Sequence, residues 1–236
     1  MAIGREITEL QERIGYHFSD LSYLENALTH TSYANEQNRR GIRLPSNERL
    51  EFLGDAVLEI AVSEYLYTTY TTCSEGDLTR MRQSVVCKES LARLAADLSL
   101  GAYLNVGNGE EEHGLRTRVR VLANAMEAVF AAVYLDAKAK GSDAWRTVIL
   151  SLLKKETEAQ AAALPDAKTR LQELVEKDGS ATLSYDVTGE CGPEHEKVFT
   201  VTVKVNNNAV GEGTAKTKKE AEMIAARAAL SLFGIS

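Results

Sequence analysis

Residues 47–58 read Asn47-Glu48-Arg49-Leu50-Glu51-Phe52-Leu53-Gly54-Asp55-Ala56-Val57-Leu58. At about 100° per residue, a helix over this stretch gathers Glu48, Glu51 and Asp55 into one narrow sector and puts Leu50, Leu53 and Val57 on the opposite side. Such a helix buries its leucines while aiming three carboxylates together. Like charges at i, i+3 and i+7 repel, so a purely structural helix gains nothing from the arrangement, whereas a divalent cation would remove the repulsion. A solvated acidic face has the same periodicity, and Glu59 shares it, so spacing alone does not choose which acids matter. Phe52 sits beside the acids, where a large aromatic needs something to cover it.

A second patch, Asn124-Ala125-Met126-Glu127, places an amide and a carboxylate one turn apart among Val121, Leu122, Ala128, Val129 and Val133. Polar groups in such apolar company suggest function, although an acid at a helix edge is common. Helical spacing recurs through the first two thirds of the chain: Leu10, Ile14, Leu21, Leu24 and Leu28, then Val57, Ile60, Ala61 and Leu66, then Leu91, Leu94 and Ala95. No strand alternation is evident there, so packed helices are expected up to about Leu153. The Ala/Glu-rich stretch from Lys154 to Pro165 reads as a linker or a fraying helix end.

After Pro165 the pattern changes. Residues 166–177 predict a helix with Leu171, Leu174 and Val175 inward, stopped by Asp178-Gly179. Strand-like runs follow at 182–187, 198–205 and 209–214. The second alternates, with Phe199, Val201, Val203 and Val205 on one face and Val198, Thr200, Thr202 and Lys204 on the other. Asn206-Asn207-Asn208 supplies turn chemistry. Thr217 is the expected N-cap of a last helix reaching Phe233, with Ala221, Ile224, Ala225, Ala228 and Leu232 as its buried stripe. The chain thus divides into an all-α domain at 5–155, a linker at 156–164, and a small α+β domain of order α-β-β-β-α at 165–236.

Bulk properties narrow the function little. The 236 residues, 44% hydrophobic and 26% charged, have the profile of a globular protein. No apolar run approaches the roughly 20 residues that cross a bilayer, and the polar start shows no signal peptide. Three widely spaced cysteines (73, 87 and 191) suit free thiols in a reducing compartment, so the cytoplasm is the expected location. A net charge of -7 argues against nucleic-acid binding by bulk positive charge. The segment after Pro165 holds nine basic and eleven acidic side chains, so any such binding has to come from local clusters. Lys216, Lys218 and Lys219 form one at a helix N-terminus, where backbone N–H groups also favour phosphate.

Asn47 to Leu58 resembles the signature of the ribonuclease III family almost letter for letter. Ala27 to Glu36, Ser74 to Arg82 and Val121 to Asp136 extend the likeness over most of residues 5 to 153. The resemblance implies an all-helical catalytic domain that forms homodimers, with Phe52 inserting into the partner subunit. It implies metal ligation by Glu51 and Glu127, with Asn124 at a ligand position, an essential acid at Asp55, and Glu48 as an acid near RNA or water. The implied chemistry is hydrolysis of double-stranded RNA to 5′-phosphate and 3′-hydroxyl ends with short 3′ overhangs, serving ribosomal RNA precursors and other structured transcripts. Oxygen ligands without His or Cys suit Mg²⁺, with Mn²⁺ as a substitute, and paired ions about 3.5–4 Å apart would activate water and steady the leaving oxygen. No membrane and no nucleotide cofactor are expected. The family usually carries Asp where this chain has Asn124, so a double-stranded RNA-binding protein with impaired cleavage is the rival reading. An acidic-helix enzyme acting on small diphosphates is a third, and leaves the last 70 residues unexplained.

Those last residues resemble a double-stranded RNA-binding domain, through Gly192-Pro193-Glu194-His195, Gly211-Glu212-Gly213 and Lys216 to Glu222. The likeness implies that Gln172 and Glu173 reach one minor groove, His195 the other, and Lys216, Thr217, Lys218 and Lys219 the phosphates between.

Overall fold

Alanines at 123, 125, 128, 131, 132 and 137 let neighbours approach one helix from every side, and all six are fully buried. That helix, Val119–Ala139, is apolar nearly all round, as a helix at the centre of a domain must be. The computed structural model describes residues 2–71, 73–111, 113–162, 166–176, 181–193 and 197–234. They fall into two units, one formed mainly by residues up to 162 and one mainly by those beyond.

In the first unit, α1 (Ala2–Ile14), α2 (Leu21–Ala27) and α3 (Thr31–Arg39) precede the long α4 (Glu48–Thr69). Helices α5 (Glu75–Val86), α6 (Lys88–Asp97), α7 (Leu100–Tyr103) and α8 (Asn108–Glu111) lead through a 3₁₀ turn to the central α9 (Val119–Ala139), and α10 (Ala144–Ala162) closes the unit. Helix α9 packs against α4, α6, α2 and α10. Phe130, Met126, Leu58, Leu66, Leu91 and Ile149 are fully buried in the core they share. The stretch expected as a linker or fraying end is helical as far as Ala162. Thr157 is buried within it, and its hydroxyl donates to the carbonyl of the buried Leu153 just before the stretch.

Periodicity misassigned two apolar residues here. Ile60 and Leu21 are exposed, because the inward faces of α4 and α2 are defined by Val57, Leu58 and Ala61 and by Leu24 and Ala27. Glu59, which shares the acidic sector, is bound instead by Arg82 at 2.9 Å.

A buried acid ties the ends of this unit together. Asp136 on α9 is 1% exposed and accepts from the Tyr16 hydroxyl (2.7 Å) and from the backbone N–H groups of Ser19 and Asp20 (3.1 and 2.9 Å). The Lys140 ammonium lies 2.7 Å away. Burial opposes its ionisation, but these donors overcome burial and hold the carboxyl at about 2.

The second unit is α11 (Ala167–Glu176), an antiparallel sheet of β1 (Leu183–Cys191), β2 (Val198–Val205) and β3 (Asn208–Ala215) in that order, and α12 (Lys218–Leu232). Strand β1 runs further than its expected end, through a register shift between Val187 and Gly189. Asn206 and Asn207 take positive φ (49° and 67°), which brings β2 directly back as β3. Val201 and Val203 face the helices with Leu171 and Val175, as alternation requires. Of the expected stripe on α12 only Ala221 and Ala225 are buried. Ala221, Ala225, Ala226, Ala229 and Leu230 are buried, whereas Ile224, Ala228 and Leu232 are exposed. The cause lies on β3, where side chains at Gly211 and Gly213 would collide with the α12 backbone at Ala221, Ala225 and Ala229. Strand and helix touch nearly backbone to backbone, so only alanine fits that face. His195 and the Asp178-Gly179 stop lie outside the described residues. Among the described residues Cys87 and Cys191 are free thiols, and no helix is long and apolar enough to cross a membrane.

Replacing Asp136 by Asn should destabilise the chain by about 3 kcal/mol, since it strands buried donors and the Lys140 charge. The Asp136 carboxyl lies below its ordinary value of 3.8, so its contribution is complete above that value and is lost as pH falls toward 2. Urea denaturation of both chains should therefore converge at low pH. A constant difference between pH 7 and pH 2.5 would rule this linkage out.

Candidate active site

The first acidic residues of α4 are aimed by what precedes them. Asn47 is buried, and its side-chain N–H donates to the Ala27 carbonyl (3.2 Å) while its backbone N–H donates to that of Thr29 (2.9 Å). The start of α4 is thereby fixed against the α2–α3 connection, and Glu48 and Glu51 occupy the first turn, where the helix dipole favours negative charge. Glu48 is exposed and accepts from the Ser46 hydroxyl at 3.0 Å.

The partner helix is set by Gly54. A methyl group there would overlap the backbone carbonyl of Glu127, so α4 and α9 come into contact at that point. One turn earlier, Glu51 accepts a hydrogen bond from the Asn124 amide, and Asp55 on α4 and Glu127 on α9 interact through their charges. The contact brings the Glu51–Asp55 part of the first acidic patch to the Asn124–Glu127 patch, while Glu48 stays at the exposed rim. Glu127 is 8% exposed, and burial first, then repulsion by Asp55 and Glu51, pushes its carboxyl up to about 7, with Lys88 acting in the opposite sense. Burial also raises Glu51, with Glu48 adding to it. The Asn124 hydrogen bond, Arg120 and Lys88 counter that rise.

Beside these acids a cleft of about 290 Å³ is lined by His30, Thr31, Glu48, Glu51, Arg120 and Asn124 among others. His30 caps α3, its Nδ1 accepting from the Ser32 N–H at 3.1 Å, and burial lowers its pKa against the pull of Glu48 and Glu110. His30, Lys88 and Arg120 were not among the candidates read from sequence. His30 lies in a quoted motif, but nothing in the spacing relates the two cations to α4.

Among the described residues no three His, Cys, Asp or Glu side chains cluster closely enough to hold an ion by themselves. The donor set still fits a hard divalent cation. The carboxylates outweigh the opposing pull of Lys88 and Arg120, an amide oxygen lies beside them, and Mg²⁺ completes its shell with water.

The second unit presents a different surface. Gln172 and Glu173 on α11 are exposed, the Gln172 amide donating to Glu176 at 2.8 Å. Lys216, Lys218 and Lys219 are exposed at the start of α12. Thr217 caps that helix, its hydroxyl accepting from the Glu220 N–H at 3.2 Å.

A helical domain built on two crossed, acid-bearing helices, followed by an α-β-β-β-α module with a cationic helix start, defines a nuclease-type architecture with its own nucleic-acid module. Comparison with known proteins gives the family. Residues 20–156 match the ribonuclease-III-like family model and residues 167–232 the double-stranded RNA binding motif. The chain is 45% identical to ribonuclease 3 of Caldanaerobacter subterraneus subsp. tengcongensis over 231 residues, covering 97% of this chain and 99% of the relative. It is 42% identical to ribonuclease 3 of Listeria monocytogenes serotype 4a over 224 residues, covering 94% and 96%. A solved nuclease domain of ribonuclease III from Campylobacter jejuni, described for flexibility in a region involved in dimer formation, superposes with TM-score 0.56 at 35% identity, covering 64% of this chain and 97% of that one. The chain belongs to the ribonuclease III family.

The raised Glu127 carboxyl makes a prediction about stability. Between its ordinary value of 4.5 and about 7 the folded chain keeps a proton that the unfolded chain has lost, so stability falls as pH rises through that window. With divalent ions chelated, Glu127→Gln should be more stable than the parent at pH 8 by roughly 2 kcal/mol and nearly equal to it at pH 4.5. Equal urea midpoints at pH 8 would mean that the carboxylate is already compensated.

Proposed function

We propose that the chain is an endoribonuclease that cuts double-stranded RNA by metal-assisted hydrolysis, working as a homodimer in the cytoplasm. The observation that carries this reading is the close contact at Gly54, which gathers Glu51, Asp55, Asn124 and Glu127 in a chain that also bears a double-stranded RNA binding motif. Glu51 and Glu127 supply the negative oxygens of the ion site, with Asp55 beside them. Asn124 turns its N–H to Glu51 and offers a neutral oxygen. Glu48, at the exposed rim, faces RNA or water. A bound Mg²⁺, or Mn²⁺ in its place, supplies Lewis-acid activation of phosphate and water. A water oxygen bonds to phosphorus as the P–O3′ bond breaks and O3′ takes up a proton, leaving 5′-phosphate and 3′-hydroxyl ends. Two such sites in a dimer would cut both strands and leave short 3′ overhangs, which suits ribosomal RNA precursors and other structured transcripts.

The dimer reading rests on α4. Phe52 is 83% exposed, and Ile60 and Tyr67 are exposed with it. Adjacent lies a hollow of about 330 Å³ lined by Leu53, Ala56, Ile60, Tyr134 and Trp145, the last two rings meeting edge to face at 5.1 Å. Phe52 of a second copy is an occupant of matching chemistry. In the second unit, Gln172 and Glu173 lie on the exposed side of one helix and the lysines at the start of another, an arrangement suited to minor-groove and phosphate contacts with A-form RNA.

The test of the cleavage reading is a Mg²⁺ titration of cleavage on a long RNA duplex. The parent chain should cut, with a higher Mg²⁺ requirement than Asn124→Asp, because one unit of negative charge is missing beside the ion. Glu127→Gln should lose at least two orders of magnitude in rate, the scale expected when an electrostatic contributor to the transition state is removed. Binding without cleavage at every Mg²⁺ and Mn²⁺ concentration would favour the rival, an RNA-binding protein disabled at Asn124. For assembly, light scattering should give a dimer for the parent and a shift toward monomer for Phe52→Asp. A monomeric parent at micromolar concentration would exclude the dimer.

A further inference from the structure

The register of the small sheet carries an acid into the cationic patch. Glu190 on β1 stands opposite Phe199 on β2, and Phe199 stands opposite Ala215 on β3. Three residues after Ala215, Lys218 opens α12. One row across the sheet therefore ends beneath the helix start, and side chains of a row share a face. The Lys218 ammonium lies 5.2 Å from the centre of the Phe199 ring and 3.7 Å from one carboxylate oxygen of Glu190. Lys197 lies 5.5 Å from the centre of the same ring and 2.5 Å from the second oxygen of Glu190. Both oxygens of Glu190 thus meet a lysine, with an aromatic face beneath the two cations. Lys197 most strongly, then Lys218, hold this carboxyl below the usual glutamate range although it lies at the surface. Among the described residues, Lys216 and Lys219 have no such ion pair.

We propose that Glu190 is a resident competitor of RNA phosphate for Lys218 and Lys197, and so sets the strength and the salt sensitivity of duplex binding. The inference rests on the reading that the lysines at the start of α12 grip duplex RNA. A carboxylate is a smaller copy of a phosphate edge: two oxygens with a shared negative charge, able to take a lysine on each. When RNA arrives, Lys218 and Lys197 exchange carboxylate for phosphate, and Glu190 is left beside the RNA backbone as an uncompensated anion. Part of the gain from releasing counterions is thereby returned, since the freed carboxylate recruits a cation. The Phe199 ring keeps the lysines in place during the exchange.

The experiment measures equilibrium binding of the full chain to a duplex of about 20 base pairs, long enough for one such module. It is done with divalent ions chelated and across a series of monovalent salt concentrations. Glu190→Gln should bind about three- to tenfold more tightly than the parent at moderate salt, with a log affinity against log salt slope steeper by about one. Glu190→Lys should bind more tightly still. In a Lys218→Ala background the gain from Glu190→Gln should shrink, because one of the lysines it frees is gone. Unchanged affinity and slope for Glu190→Gln and Glu190→Lys, with Lys218→Ala still weakening the parent, would overturn the proposal while leaving the lysine grip intact. If Lys218→Ala and Lys219→Ala both bound like the parent, or the parent did not bind duplex RNA, the grip itself would fail and the competitor with it.

Discussion

The close contact between Gly54 and the backbone of Glu127 is the constraint on which the first unit depends. Helix α4 carries acids because its sequence repeats them at helical spacing, but acids on one helix form only half of a site. The other half is on α9, whose alanine-rich surface lets α4 approach. With any larger residue at position 54 the helices would separate or slide. Glu51 would then lose the Asn124 amide, and Asp55 would lose its proximity to Glu127. Packing and candidate chemistry therefore share a single point of contact, placed where the four polar groups converge.

Helix α9 also shows what distinguishes a structural acid from a candidate functional one. Asp136 and Glu127 lie on the same helix and both are buried. Asp136 is supplied with a hydroxyl, two backbone N–H groups and an ammonium, and its carboxyl is held at about 2. Glu127 meets burial and two other carboxylates, and its carboxyl is raised to about 7. The first arrangement stabilises the folded chain at neutral pH, whereas the second weakens it unless a cation is present. A fold does not retain a buried and only partly compensated acid for stability, and that imbalance is the strongest physical sign of an ion site in this unit.

The second unit obtains the same intimacy from glycine and alanine. Gly211 and Gly213 on β3 meet Ala221, Ala225 and Ala229 on α12 with almost no side chain between them. This contact fixes where α12 begins relative to the sheet, and hence where Lys218 lies relative to Phe199 and Glu190. The net charge of the segment hides a cationic patch, and the patch in turn holds an acid, so neither composition nor a run of lysines describes its electrostatics.

The grouping of Glu48, Glu51 and Asp55 on α4, the Asn124–Glu127 pair, the α-β-β-β-α order, the Asn-rich turn and the Thr217 cap were legible from sequence. Each is a property of one element or of neighbouring residues: helical and strand periodicities, caps and turns are local. What periodicity missed has a single cause. The exposure of Ile60, Ile224 and Leu232 depends on which face another element covers, and the position of Glu59 beside Arg82 depends on a second helix. The approach of Lys88 and Arg120 to Glu51, and of Glu190 to Lys218, likewise joins residues distant along the chain. By itself the sequence determined which side chains each element carries and on which side of it they stand. Only the tertiary structure decided which sides meet, because a period describes one helix or strand, whereas a contact is fixed by the steric fit of two.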